Sequence, residues 1–508
     1  MKILGLSIGH DASACVIENG NIIYYRMAER LSRIKHDYDI LPCLKDLIEF
    51  NLVDFDTIVV SYFLDKAKDE FLKHQELIDK NFKFKELKLI NNDHHLHHAY
   101  GAMYSSGLEK ATIVVLDGSG SIDYCLLPNH ELREIESIYN IDLVNRSCDL
   151  VYKHYHAYID DRIVQNNIEI SNDLSVGWQF EKCAEEIGFD TWGTGKVMGL
   201  ASYLGYENLL EKEWSDKVQL ANDCQVATEA RAEQLLYKAI TLTNNKNIIV
   251  TGGYGLNCVA NTRYTDLLQR NKNIFIDPIC FDAGISIGAS FKEYFENNLD
   301  YKARTLKNVF ISNMRPYNID NYECIDASDD DIIELIEKQE AVAVFQGNAE
   351  AGQRALGNRS ILFDPRNANG KQLINKLKKR ESFRPFGCSI LASLATEWFY
   401  SDYINNCSFM SYAVPVKDAY KKLIPAVVHV DGTSRIQTVD IQNHSALYNL
   451  LEKFYKKTGV PILGNTSLNL AGEPLVETIE DAVNVLKNSQ IKYLYLPTDK
   501  KLIISQKY

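Results

Sequence analysis

The sequence predicts an α/β protein of two domains, the first containing an internal repeat. Three observations carry that prediction. The chain has 508 residues, more than one hydrophobic core usually covers, with 46% hydrophobic and 24% charged residues, as in a globular protein. Two segments near the N-terminus repeat one strand–turn–strand pattern. Further along, apolar strands resume after an aperiodic, acidic stretch, dividing the chain into residues 1–325 and 326–508.

The first repeat opens with the apolar strand Ile3–Ile8 and the polar turn Gly9-His10-Asp11-Ala12-Ser13. Ala14–Ile17, an Asn19-Gly20 hairpin turn and Ile22–Arg26 follow. The second repeat runs Ala111–Leu116, Asp117-Gly118-Ser119-Gly120-Ser121, Ile122–Leu127, Pro128-Asn129 and a further strand. Turns of glycine and small residues let backbone N–H groups converge on a phosphate. The duplicated unit resembles the sugar kinase/actin-like superfold, in which two such halves close over a nucleotide. Thr251-Gly252-Gly253-Tyr254-Gly255-Leu256-Asn257 lies between the strand Asn247–Val250 and an expected helix, a setting for close backbone approach to a ligand. Residues 139–190 are irregular, rich in Asp, Tyr and Asn, and read as specificity loops. Residues 305–331 read as a linker into the helix Ile332–Gln339. The second domain's strands are Ala341–Phe345, segments near Ile390 and Ile436, Val460–Leu463, and the pair around Ile491–Leu496 and Leu502–Ser505.

Asp93-His94-His95-Leu96-His97-His98-Ala99 holds four of the twelve histidines. Asp93 as N-cap and Gly107 as stop predict a helix here. His94 and His98 then share one face, so that two imidazoles reach one metal ion. Asp117 and Asp282, each in a turn, are the carboxylates that complete the shell. Mixed nitrogen and oxygen ligands suit Fe(II), Mn(II) or Zn(II), and we take Fe(II) first. His95 and His97 are read as supporting residues, and there is no His-Glu-x-x-His arrangement.

A second concentration of chemistry lies later. Although the chain carries a net charge of −13, Gln353 to Phe386 contains nine Lys or Arg residues, opposed only by Asp364 and Glu381. Lys371 to Arg380 suits a solvated helix. Arg354, Arg359 and Arg384 sit instead among Gly, Ala, Leu, Pro and Phe, where guanidinium forks point to a bound phosphate or carboxylate. Overall acidity argues against a nucleic-acid partner. No apolar run approaches the ~20 residues that span a bilayer. Met1 to His10 lacks the features of a signal peptide. The eleven scattered cysteines, without a Cys-x-x-Cys pair, read as reduced thiols of a cytoplasmic protein.

Taken in order, the motifs resemble those of the bacterial O-carbamoyltransferases of nodulation and antibiotic tailoring. They are Gly9-His10-Asp11-Ala12-Ser13, His94-His95-x-x-His98-Ala99, Leu116-Asp117-Gly118 and Gly195-Lys196-Val197-Met198-Gly199-Leu200-Ala201, then Gly252-Gly253 to Asn261. Arg354 to Ser360, Arg380-Glu381-x-Phe383-Arg384-Pro385-Phe386, His429 to Gln437 and Asn465-Thr466-Ser467-Leu468-Asn469 complete the set. The sequence departs from the family pattern at Thr194 (usually Glu), Ser202 (usually Pro) and Leu468 (usually Phe).

The resemblance implies a kinase/actin-like N-terminal domain and an α+β, YrdC-like C-terminal domain. The latter would make carbamoyl-adenylate from carbamoyl phosphate and Mg-ATP. The former, holding the metal at His94, His98, Asp117 and Asp282, would pass the carbamoyl group to a hydroxyl of a small molecule. It assigns Arg354, Arg359, Arg384, Arg435 and Lys379 to phosphates. Asn465, Thr466 and Ser467 would hold the carbamoyl group, and Lys196, Gly252, Gly253 and Asn257 the nucleotide. His10 would be general base, oriented by Asp11. A neighbouring reading is threonylcarbamoyl transfer to tRNA, against which the net acidity and the arginine-rich second domain weigh. A non-catalytic nucleotide-binding module would leave the histidines and arginines without a task. Neither the acceptor nor the oligomeric state is encoded in any motif.

Overall fold

The computed structural model describes residues 1–62, 64–268, 272–299, 306, 308–404 and 407–505. Its N-terminal half contains two sheets with one shared topology. In the first, β1 (Lys2–Ser7), β2 (Ser13–Glu18) and β3 (Asn21–Met27) form an antiparallel meander. β4 (Asp54–Ser61) and β5 (Lys83–Ile90) continue parallel to β1, giving the order β3-β2-β1-β4-β5. In the second, β6 (Lys110–Leu116), β7 (Leu132–Asp142) and β8 (Ser147–His156) form the meander. β9 (Asn247–Thr251) and β10 (Asn273–Ile276) run parallel to β6, in the matching order β8-β7-β6-β9-β10. The internal repeat is therefore a repeat of whole sheets.

Two expectations are corrected here. Ile122–Leu127 is not the second strand of the second repeat: only Ile122–Asp123 pairs with β7, and Tyr124 and Leu126 are exposed on a turn. Residues 139–190 are regular rather than looped. They contain the end of β7, all of β8 and the helix Val176–Ile187, with Tyr152 donating to Glu169 (2.8 Å) and His154 paired with Glu136 (3.2 Å). Of the expected linker, residues 305 and 307 lie outside the described residues.

Helix α1 (His94–Ser106) begins after Asp93 and ends at Gly107 in the left-handed conformation, as expected. Next come α2 (Val176–Ile187), α3 (Thr194–Ala201), α4 (Cys258–Leu268) and α5 (Ile285–Asn297). α5 packs on the first sheet, α1 on the second, and the two helices on each other. The crossing is very close. A Cβ at Gly288 would lie 1.7 Å from the carbonyl oxygen of His97, so only glycine admits it. This approach brings the histidine face of α1 to the turn that starts α5.

The third sheet is mixed and lies in residues 324–504. Its centre is formed by β11 (Val342–Phe345), β12 (Arg359–Phe363), β13 (Gly387–Leu391), β14 (Thr433–Val439), β15 (Ile462–Ser467) and β16 (Tyr493–Leu496), in the order β16-β11-β12-β15-β13-β14. The register sets Gly387 opposite both Arg435 and Asn465, placing those two side chains at one level across three strands. A buried Arg26 ties the halves together: its Nε donates to Asp46 (2.9 Å), and its Nη1 to Ser312 (3.0 Å) and to Glu477. Among the described residues, no helix is long and apolar enough to cross a membrane.

Candidate active sites

Two clusters of charged side chains stand out, the first buried and the second half-buried. The first lies between the N-terminal sheets. His94 and His98 project one turn apart from α1, Asp117 follows β6, and Asp282 opens the turn before α5. Nε2 of His94 is 3.2 Å from Asp117 Oδ2 and 3.7 Å from Asp282 Oδ1. Nε2 of His98 is 3.6 and 3.4 Å from the same two atoms. One ligand atom from each residue lies within 4.8 Å of every other.

The backbone supports this geometry. Gly253 N–H donates to the second carboxylate oxygen of Asp117 at 3.0 Å. Gly252 (φ 88°) runs so close to Leu116 that a Cβ would lie 2.3 Å from its carbonyl oxygen. The glycine loop therefore braces the carboxylate. Nε2 of His98 is buried without a hydrogen-bond partner among the described residues. Two imidazole nitrogens converging on two carboxylates, with one nitrogen left orphaned, fit a divalent first-row metal ion. His95 and His97 turn away, to the hydroxyls of Ser137 and Ser61, each at 2.8 Å. Burial draws His95 down to about 4 and His97 well below the usual imidazole range, so both stay neutral.

The second cluster lies on the third sheet. Helix α6 (Gly370–Leu377) ends at Lys378, whose buried Nζ donates to Ser467 Oγ (3.0 Å) and Asn469 Oδ1 (2.8 Å). Arg380 lies over the Phe386 ring at 4.2 Å and donates to Asn375. Arg384 is 3.7 Å from Glu381, and Arg435 reaches in from β14 with its Nε buried and unpartnered among the described residues. Arg354 donates to the carbonyl of Leu256, so the glycine loop of the N-terminal half borders the pocket.

Burial and the neighbouring guanidinium groups depress the pKa of Lys378 and Arg380 strongly and draw Arg435 down to about 9. For Arg384, burial outweighs the favourable field of Glu381. Glu381 is shared, because Lys196 of α3 is 3.0 Å from it. Asn465 Nδ2 donates to Ser389 (2.9 Å) and Gln437 (3.2 Å), while its Oδ1 is buried with no partner among the described residues. Clustered, under-compensated cations beside orphaned polar atoms mark an anion site.

Comparison with known proteins follows the same line. Residues 333–502 match the Carbamoyltransferase C-terminus family. The nodulation protein NolNO of Sinorhizobium fredii is 27% identical over 95% of this chain and 77% of its own length. The 3'-hydroxymethylcephem-O-carbamoyltransferase of Amycolatopsis lactamdurans is 22% identical over 95% of this chain and 96% of its own. The chain is thus similar over nearly its whole length to a named O-carbamoyltransferase, and its C-terminal third matches the carbamoyltransferase C-terminal family. Among solved structures, full-length HypF in its phosphate- and nucleotide-bound form covers 59% of this chain and 56% of its own, at 15% identity and a TM-score of 0.38.

Several sequence assignments need correction. Arg359 faces no ligand space. It is fully buried over the Phe345 ring (3.8 Å), its Nη1 donating to the carbonyls of Gln346 (2.6 Å) and Asn358 (3.1 Å), its Nη2 to those of Gly347 (3.0 Å) and Glu477 (3.3 Å). Lys379 (φ 54°) is turned out to solvent, and beside it Lys378 is buried and Arg380 half-buried. Asn257 bonds Gln225 through both ends of its amide and caps α4 through Ala260 N–H, which leaves it committed to the helix start. Asp11 does not orient His10. Nε2 of His10 lies 3.2 Å from Asp282, whereas the Asp11 carboxylate is bonded to His36, a residue the sequence reading missed. The run Glu29 to Asp37, dense in charge, was the available signal.

Proposed function

We propose that the chain is an ATP-dependent O-carbamoyltransferase that works in two steps at these two sites. The observation that carries the reading is the cation pocket, where Arg354, Lys378, Arg380, Arg384 and Arg435 gather around the unpartnered Arg435 Nε and Asn465 Oδ1, an arrangement suited to polyanions such as ATP and carbamoyl phosphate. In the first step carbamoyl phosphate, ATP and water give carbamoyl-adenylate, phosphate and pyrophosphate. Lys378, Arg380, Arg384, Arg435 and Arg354 hold the phosphates, and Asn465, Thr466 and Ser467 orient the carbamoyl group. Residues 326–508 serve this step as a YrdC-like domain.

In the second step the carbamoyl group passes to a hydroxyl of a small molecule in the domain of residues 1–325. His94, His98, Asp117 and Asp282 would hold a divalent metal, Fe(II) before Mn(II) or Zn(II), which when bound supplies Lewis-acid polarisation of a carbonyl or phosphate oxygen. Lys196 and the Gly252-Gly253 backbone border the adenylate. His10, held through Nε2 by Asp282, receives the acceptor's proton at Nδ1 as the hydroxyl oxygen attacks the carbamoyl carbon and AMP leaves.

The first step is testable without an acceptor. Purified protein with Mg-ATP should release pyrophosphate only when carbamoyl phosphate is added, and Arg384→Ala should abolish the release. Release independent of carbamoyl phosphate, or none from folded protein, overturns the reading.

A further inference from the structure

The sequence suits Lys371 to a solvated helix face, and the structure places it elsewhere. It is the second residue of α6, and its half-buried side chain lies in the seam between the two halves of the chain. Nζ donates to the phenolic oxygen of Tyr203, just beyond α3, and sits 5.2 Å from the centre of that ring. Tyr203 is buried. Burial, with Glu211 and Asp431 nearby, pushes its phenol up to about 12, so it stays uncharged. Among the described residues no carboxylate pairs with Lys371, and burial draws its amine down to about 8, against 10.5.

A second unsatisfied group stands at the same ring. His429, ahead of β14, packs edge-on against Tyr203, with centroids 5.6 Å apart and planes at 87°. Its Nδ1 faces Asp431 at 3.5 Å, which makes Nε2 the acceptor. That Nε2 is buried with no hydrogen-bond partner among the described residues. Tyr203 also ties the seam to the cation pocket, because its hydroxyl donates to the carbonyl of Phe383 (3.4 Å), the residue before Arg384. An amine without a counter-ion, an unfilled acceptor and the edge of the anion pocket therefore meet at one tyrosine. A lysine so placed is held partly in its neutral, nucleophilic form.

We propose that Lys371 is a carbamoylation site whose electrophile is isocyanic acid released from carbamoyl phosphate. Carbamoyl phosphate breaks its carbonyl carbon–oxygen bond, and a proton from its nitrogen goes to the departing phosphate, leaving HN=C=O. The Nζ lone pair then bonds to the isocyanate carbon. The C=N π pair moves to the nitrogen, which takes one proton from Nζ. The product is a urea on the lysine, with nothing oxidised, nothing reduced and no group expelled. Its terminal N–H supplies the donor that His429 Nε2 lacks. The inference rests on the carbamoyl phosphate reading above for the source of the electrophile, and on the seam alone for the site.

The site is tested with potassium cyanate on the full wild-type protein at pH 7, carbamoyl-lysine being quantified at each position by peptide mass spectrometry. The lowered basicity gives Lys371 about 10²-fold more neutral amine than an exposed lysine, and its weaker nucleophilicity and half-burial reduce the gain in rate to roughly ten-fold. Lys371 should therefore label roughly ten-fold faster than the exposed Lys376 and Lys379. The ratio of its labelling to theirs should hold below about pH 8 and fall above it. Equal rates at the three positions, or a ratio that does not change with pH, would overturn the assignment. Nitrogen NMR of the carbamoylated protein should show the Nε2 resonance of His429 shifted, and an unmoved resonance would remove that imidazole from the site. Carbamoyl phosphate in place of cyanate should label Lys371 as well, and more in wild type than in Arg384→Ala. Selective labelling by cyanate without that difference would sink the carbamoyl phosphate source and leave the lysine site standing.

Discussion

The carboxylate–imidazole cluster is buried and the cation pocket half-buried, and they answer opposite electrostatic demands. In the first, Asp117 and Asp282 lie between His94 and His98, so that opposite partners compensate one another within 4 Å. In the second, Lys378, Arg380, Arg384 and Arg435 lie close to one another, with Glu381 opposing Arg380, Arg384 and Lys196, and Glu473 opposing Lys378. Burying unpaired charge is costly, and proteins avoid it unless a ligand supplies the missing partner. The difference supports the signs of the two ligands we propose: a small cation for the balanced donor set, a large polyanion for the unbalanced one.

The strongest way to break this contrast is a reciprocal pair of variants. Arg435→Ala should lower carbamoyl phosphate-dependent pyrophosphate release by about 10²–10³-fold, the weight of a lost charge-stabilising donor, while keeping its bound metal. His98→Ala should reduce metal bound per chain, measured by elemental mass spectrometry, from stoichiometric to trace. If Arg435→Ala also lost its metal, the two pockets would be one unit and the division of labour would fall.

A smaller effect separates the functional arginines from a structural one. Arg359 spends its guanidinium on four backbone carbonyls, so Arg359→Met should leave those acceptors stranded and cost about 3 kcal/mol of stability in denaturant unfolding. Its effect on the KM for carbamoyl phosphate should be slight. A variant of unchanged stability but raised KM would return Arg359 to the phosphate site.

A third test concerns acid. Glu134 accepts a hydrogen bond from Ser121 N–H (2.9 Å) and pairs with the buried Lys153. Burial raises its pKa, but His95, which carries charge only below about pH 4, and the charge and hydrogen bond of Lys153 hold it near 2, against 4.5. The unfolded chain therefore binds the proton more readily. The stability Glu134 contributes is present above pH 4.5 and is lost as pH falls from 4.5 toward 2. Thermal melts of Glu134→Gln should show a flatter acid slope than wild type in that window, and equal slopes would contradict the assignment.

What could be read from the sequence follows physical range. The helix from His94 to Ser106 was legible because four-residue spacing and a terminal glycine are local signals. The repeat was legible in its first strands for the same reason. Its second half slipped by ten residues because Ile122–Leu127 looks as apolar as a strand, although Tyr124 and Leu126 face water. His36 was invisible because its partner, Asp11, lies 25 residues away across a turn. Arg359 was misread because β12 buries every residue from Arg359 to Phe363 on both faces, which no alternation pattern announces.

The smallest expected effect bears on the same point. Lys378 and Lys379 are adjacent and chemically identical, and sequence resemblance points to Lys379. The chain leaves α6 through Lys379 in the left-handed conformation, which turns that side chain outward, while Lys378 stays under the sheet edge on Ser467 and Asn469. Lys379→Ala should therefore change stability by no more than about 0.5 kcal/mol and leave pyrophosphate release near wild type. Lys378→Met, one residue earlier, should remove a buried donor from the anion site and suppress that release. Equal losses from both would mean that net charge, not the placement of individual donors, governs the pocket, and the comparison of the two sites would have to be redrawn in terms of long-range field alone.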